Sequence, residues 1–233
     1  MPNFNIVKDI TPANTFRVNS IVNNFDLDLN HLKETFEGNI DIEGKDWNIG
    51  LIVGGSGTGK TTIAKECFKN SYFVNYDYNA PSVIDDMPKD KSIKEIEKTF
   101  TSVGFSSPPS WLKPYSVLSN GEKMRVDLAR CILDNKDLIV FDEFTSVVNR
   151  EVAKTTSYAI SKAIKRLDKK FIAISCHDDI IEWLEPNWIY NTDTKSFFLQ
   201  MANIKGQKSN LKYIKLVTNI KNQYGKYLKS III

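Results

Sequence analysis

Apolar and polar positions alternate along this chain in two recurring patterns. The runs Trp47 to Val53, Tyr72 to Asn75, Leu138 to Phe141 and Phe171 to Ser175 are short and largely apolar, which predicts strands buried on both faces. Between them, Lys60 to Asn70, Asn120 to Leu133 and Arg150 to Leu167 space their apolar residues at helical intervals. Strands and helices taking turns in this way predict an α/β fold of three layers around a mostly parallel sheet.

The pattern changes between Asp77 and Leu118. Ile93, Ile96, Phe100 and Val103 fall at helical spacing, and Ser106 to Pro109 then breaks the helix. We read this stretch, with the helix that follows it, as a small helical subdomain over about residues 77–133. Beyond His177 a short helix around Asp179 to Leu184 is predicted to end before Pro186. The runs Trp188 to Asn191 and Ser196 to Gln200 then flank Thr192-Asp193 as in a hairpin. Trp183, Trp188, Phe197 and Phe198 read as core or interface residues. No repeat or Gly/Ser-rich linker divides the chain, so one domain over residues 1–204 is expected, followed by a basic segment over 205–233.

Composition narrows the choices further. With 42% hydrophobic and 25% charged residues in 233, the chain can bury one good core. Its apolar runs fall far short of the roughly 20 residues that span a bilayer, so direct membrane insertion is not expected. Met1 to Ile10 lacks a basic start followed by an apolar stretch, which points to a cytoplasmic location. Cys67, Cys131 and Cys176 are widely spaced without a C-x-x-C pair and read as reduced, buried side chains. The net charge of +3 is uneven: eight lysines and no acid follow Thr194, leaving residues 1–193 with 23 basic against 28 acidic side chains. Such a tail suits nucleic acid, an anionic lipid surface or an acidic partner, or is simply a solvated face.

Candidate chemistry begins at Gly54-Gly55-Ser56-Gly57-Thr58-Gly59-Lys60-Thr61-Thr62, which contains G-x-x-x-x-G-K-[ST] after a strand pattern and before a helical one. Glycines let successive backbone amides turn toward phosphate groups, and the following helix points its positive end at them. Lys60 is expected to reach the β- and γ-phosphates, and Thr61 to ligate Mg²⁺ through its hydroxyl. Further on, Ser119-x-x-Glu122 before an apolar helix is by itself a capping box. Leu138 to Phe141 then runs into two adjacent acids, Asp142 and Glu143, and His177 closely follows the apolar run Phe171 to Ser175.

The stretch Leu118-Ser119-Asn120-Gly121-Glu122 and the helix after it closely resemble the signature motif of ATP-binding cassette (ABC) ATPases. The resemblance covers about Ile49 to Leu184 and rests on four motifs in the right order. It implies a P-loop NTPase with an ABC-type core sheet that binds ATP and Mg²⁺ and hydrolyses the nucleotide. It further implies that Asp142 orients the metal, Glu143 polarises the attacking water, and His177 bridges Glu143 and the γ-phosphate. Ser119, Asn120, Gly121 and Glu122 would face ATP held by a second copy of the chain, in an ATP-dependent homodimer. Phe144 to Asn149 resembles the family's D-loop. Departures are visible: Asn120 and Glu122 stand where Gly and Gln are commonest, and Phe144 and Asn149 where Pro and Asp are. Phe16, or else Phe25, would stack on adenine.

No glutamine occurs between Lys60 and Ser119 to centre the loop by which transporter cassettes couple to membrane subunits. That interval is also shorter than in most of them, and it has no room for the long coiled-coil arms of chromosome-maintenance ATPases. The resemblance is thus to short stand-alone cassettes without a transmembrane domain, and the leading expectation is that ATP acts in this chain as a switch on a protein partner. A transporter's ATP-hydrolysing subunit is the alternative, and an ATP-gated nucleic-acid module using the lysine-rich C-terminus is a third.

Overall fold

The computed structural model describes residues 3–9, 12–27, 33–73, 75–134 and 136–199. Contacts divide the chain into a unit Met1–Phe198 and a unit Leu199–Ile233, and the lysine-rich segment of the second lies outside the described residues. The described elements run β1 (Asn3–Asp9), α1 (Phe16–Asn24), β2 (Lys33–Asn39), β3 (Ile49–Val53), α2 (Lys60–Cys67), α3 (Ile93–Ser102) and α4 (Pro108–Trp111). They continue with α5 (Asn120–Leu133), β4 (Leu138–Phe141), α6 (Arg150–Leu167), β5 (Lys170–Ser175), α7 (Ile180–Leu184), β6 (Trp188–Asn191) and β7 (Ser196–Leu199).

The main sheet has the order β4-β5-β3-β6-β7, with β4, β5, β3 and β6 parallel. Side chains alternate across a strand. Ile52, Ile172, Ile174, Val140, Trp188 and Tyr190 therefore join Ile63 and Ala64 of α2 and Phe4 of β1 in one core cluster. Ile49, Leu51, Phe171, Ala173, Ile139 and Phe141, also buried, belong to the opposite face, and α6 packs against β3. Burial on both faces is what a parallel sheet requires. Each fully buried aliphatic or aromatic side chain contributes about 1.5–3 kcal/mol relative to exposure.

The first two strands have no counterpart in the sequence reading, which assigned no strand before Trp47. β1 and β2 form a separate antiparallel ribbon over seven residue pairs. The period-2 alternation of Phe4 and Ile6 with Asn3, Asn5 and Val7 was its only signal. The ribbon packs on α2, and Phe4 meets Tyr190 edge-on at 5.7 Å.

Three local expectations change. Tyr72 to Asn75 is not a full strand: Tyr72 makes a single parallel bridge to Val140, and Phe73 N–H donates to Val140 at 2.8 Å. α2 stops at Cys67 rather than Asn70, where the Phe68 amide caps it on Ala64 and the chain turns. Pro108 and Pro109 do not merely end a helix but begin α4, because the first turn of a helix needs no amide donor there. Cys131 is buried as expected and Cys67 half-buried, but Cys176 is exposed because the chain has left β5 by that point.

α5 and α6 run over the residues read from the sequence, and each is capped by the residue before it. Ser119 and Glu122 close a reciprocal box, and Asn149 accepts from Val152 N–H at 2.9 Å. Such a cap contributes about 1 kcal/mol. α3 has its own box, Ser92 with Glu95, and packs on α5 and α6 through buried Ile96 and Phe100.

Gly50 marks the tightest approach in the sheet: a Cβ there would lie 2.1 Å from the Trp188 ring, which is fully buried. Gly50→Ala is expected to lower stability by about 1–3 kcal/mol through overpacking, read as a lower urea midpoint with an unchanged slope.

Candidate functional site

The four parallel strands end at one edge of the sheet, and the loop, the acids and the histidine leave from there. β5 lies between β3 and β4, with Val53 level with Ser175 and Phe141 level with Ala173. The loop after β3, the acids after β4 and the histidine after β5 are thereby brought side by side.

The loop from Gly54 to Gly59 is held in shape from within and by its neighbours. Lys60 Nζ donates to the Gly55 carbonyl at 2.6 Å, folding the lysine back over the loop. Thr58 Oγ1 donates to the same carbonyl at 2.9 Å and lies 2.6 Å from Thr192 Oγ1. Gly55 N–H points at both oxygens of Asp193, each at 3.1 Å. Gly57 and Gly59 have φ of 80° and 84°, in the left-handed region that favours glycine. A Cβ on Gly59 would also collide with the Phe36 ring at 2.2 Å. Ser56 lies in the same turn, and Thr62 follows Thr61 into α2.

Opposite the start of α2, Asp142 is gripped by three donors. Thr61 Oγ1 donates to Asp142 Oδ2 at 2.7 Å, and the Tyr72 hydroxyl donates to that same oxygen. Glu143 N–H donates to Oδ1 at 2.8 Å. Burial, and then the bond to Asp142, push the Tyr72 phenol well above its ordinary pKa, so it stays a donor. Glu143 itself is exposed and takes a left-handed φ of 51°, turning away from the strand direction of Asp142. Thr61 and Asp142 are hard oxygen donors of the kind Mg²⁺ prefers, and their contact puts both at one point.

His177 is half-buried two residues past β5, its N–H donating to Ser175 Oγ at 3.1 Å. Neighbouring Cys176 lies 4.0 Å from Ser146 Oγ. Among the described residues no cluster of His, Cys, Asp and Glu suits a metal ion on its own.

The tip of α5 is open to solvent at Ser119 and Asn120. Glu122 accepts from Ser119 N–H at 3.0 Å and from its hydroxyl at 2.8 Å, bonds that hold its carboxyl below the usual value and keep the charge turned to the cap. Gly121 has no room to spare, since a Cβ would lie 3.0 Å from Val152. Asn120 and Lys123 line a cleft together with Tyr72, Phe73, Asp142 and Glu143.

Two site features were missed by the sequence reading. Phe16 opens α1 with 87% of its surface exposed, whereas Phe36 of β2 lies against the loop at Gly59. The structure therefore favours Phe36 as the aromatic beside the phosphate loop, and nothing short of the ribbon's pairing could have shown it. The second is a tyrosine run behind the acids. Phe73 stacks flat on Phe141 at 4.9 Å, and Tyr78 stacks on Tyr115 at 4.0 Å. Tyr76 bonds to Asp134, while Tyr78 and Tyr115 hold the two oxygens of Asp127 at 2.8 and 2.9 Å. Burial raises the Asp127 carboxyl to about 6 despite these bonds and nearby Lys123.

Comparison with known proteins fits this geometry. The pattern of the ATPase family associated with various cellular activities (AAA) matches residues 50–189. An uncharacterized ABC transporter ATP-binding protein of Haemophilus influenzae is 35% identical over 91 residues, covering 38% of this chain. The match spans 36% of that relative's length. An ATP-binding cassette solved as a dimer in a post-hydrolysis state with ADP and Pi superimposes with a TM-score of 0.56 at 12% identity, over 73% of this chain and 94% of that one. The cassette cbiO1 from Clostridium perfringens, part of an ABC transporter complex, gives 0.53 at 18% identity, over 68% and 76%. The fold is thus the P-loop NTPase fold of ABC cassettes.

The folded chain favours the neutral form of Asp127, so the stability tied to it is complete below about pH 4 and is lost as pH rises through about 6. Asp127→Asn mimics the neutral form. Its melting temperature relative to the unmodified chain should therefore climb between pH 4 and pH 7.5, and a constant difference would contradict this.

Proposed function

This chain belongs to the ATPase family associated with various cellular activities (AAA), and from that premise we propose that it hydrolyses Mg·ATP between two copies of itself, closing and opening as a switch on a protein partner. One observation carries the reading: the Thr61–Asp142 hydrogen bond of 2.7 Å joins the phosphate loop to the acidic strand end.

In this reading the amides of the loop from Gly54 to Thr62 bind the phosphates, and Lys60 leaves the Gly55 carbonyl to meet them. Its short internal bond keeps the ammonium poised over the loop until then. Thr61 and Asp142 would hold Mg²⁺, whose bound charge offsets that building on the phosphate oxygens. Glu143, exposed and free of the strand's direction, takes the proton of the attacking water, and His177 orients it from the neighbouring strand end. Phe36, rather than Phe16, gives adenine a face.

Ser119 and Gly121 of the second copy would complete the site. The Gly121 amide lies at a helix start, where positive partial charge gathers, while the Ser119 N–H and hydroxyl, held by Glu122 in the capping box, would exchange that carboxylate for phosphate. Exposure of Ser119 and Asn120 in the single chain leaves this tip ready for a partner copy. No described helix is long and apolar enough to cross a membrane.

A second reading makes the chain the ATP-hydrolysing subunit of a transporter. It is favoured by the relative from Haemophilus influenzae, which is described as an ABC transporter ATP-binding protein. Both readings share the same chemistry and differ in the partner.

Glu143→Gln should bind ATP, lose about 10²-fold or more in turnover, and run as a dimer with ATP in size-exclusion chromatography with light scattering. A monomer at saturating Mg·ATP, or unmodified turnover, would discard the scheme. Pull-down with the trapped variant separates the readings: recovery of an integral membrane protein selects the transporter subunit, and a membrane-free partner selects the switch.

A further inference from the structure

Asp142 accepts one more bond than the motifs around it supply. The Thr61 hydroxyl and the Glu143 amide both come from the loop and strand end themselves. The third donor, Tyr72, comes from the chain after α2 and belongs to none of the motifs. We propose that Tyr72 is a positioning residue for the metal-binding carboxylate, its hydroxyl fixing the rotation of Asp142 so that Oδ2 faces Thr61. This rests on the proposed role of Thr61 and Asp142 in holding Mg²⁺.

The arrangement around Tyr72 supports that role. Its backbone is tied to the strand that carries Asp142, by the bridge to Val140 and the 2.8 Å bond from Phe73 N–H. The flat stack of Phe73 on Phe141, 4.9 Å between centroids, fixes the same two segments from the side. Lys65 of α2 places its ammonium 5.1 Å from the centre of the Tyr72 ring. The phenol is thus held by the strand bearing the acid and by the helix bearing Thr61.

The chemistry of the bond is also suited to a bound cation. A threonine hydroxyl can ligate through a lone pair while still donating its proton to the Asp142 carboxylate. A phenol, having one proton to give, keeps donating to the same carboxylate throughout. Without it, Asp142 would be free to rotate about its side chain, and a ligand whose partner is lost binds metal less tightly.

Tyr72→Phe removes the hydroxyl and keeps the ring under Lys65. In the full chain, Mn²⁺ would be titrated into the ADP complex and followed by electron paramagnetic resonance, with ADP affinity in the absence of metal measured by calorimetry. We expect Mn²⁺ affinity to fall about 10-fold, with metal-free ADP affinity and melting temperature unchanged. Asp142→Asn serves as the direct ligand control and should lose more. Unchanged Mn²⁺ affinity in Tyr72→Phe overturns the proposal, and so does an equal loss of ADP affinity without metal, the mark of a merely structural role. If the unmodified chain with ADP takes up no Mn²⁺, the metal-binding reading itself fails, an outcome distinct from a failure at Tyr72 alone.

Discussion

β5 has a parallel neighbour on each side, β3 and β4, and the geometry of the site follows from that pairing. Strands that run in parallel deliver their C-terminal ends to one edge, where loops can meet without crossing the sheet. A slip of one residue in β5 would turn Ile172 and Ile174 out of one core and Phe171 and Ala173 out of the other. Because both faces are buried, register and site stand or fall together.

That edge is drawn tight by hydrogen bonds of different origin. The lysine folds onto its own loop, the loop is tied to Thr192 and Asp193 beyond β6, and Thr61 reaches across to β4. A cradle held from several strands has its backbone ordered before any ligand arrives. Glu143 differs: it is exposed, in a left-handed turn, and can move toward a water.

Aromatic rings and acids join the helical subdomain to this edge. Phe73, Tyr76, Tyr78 and Tyr115 follow one another from β4 toward α5, with the Tyr76 hydroxyl on Asp134 and those of Tyr78 and Tyr115 on Asp127. Hydrogen-bonded rings hold position and direction as well as distance, which suits a link between the acids of one site and the helix tip that would serve another. Asp127 carries the cost, being buried where the charged form is disfavoured.

Much of this was legible in the sequence, for local reasons. The glycine pattern and Lys60, the box of Ser119 with Glu122 and the ranges of β4, α5 and α6 depend on residues a few positions apart, whose spacing alone decides their bonds. The proline pair misled because it can either stop a helix or start one, and only the neighbouring packing selects. Tertiary structure decided what distance along the chain conceals: Phe36 rather than Phe16 beside Gly59, Tyr72 on Asp142, Asp193 on Gly55, and Tyr78 with Tyr115 on Asp127. Each joins residues brought near by strand pairing or by packing between elements, and no periodicity in a sequence records which strand will lie beside which.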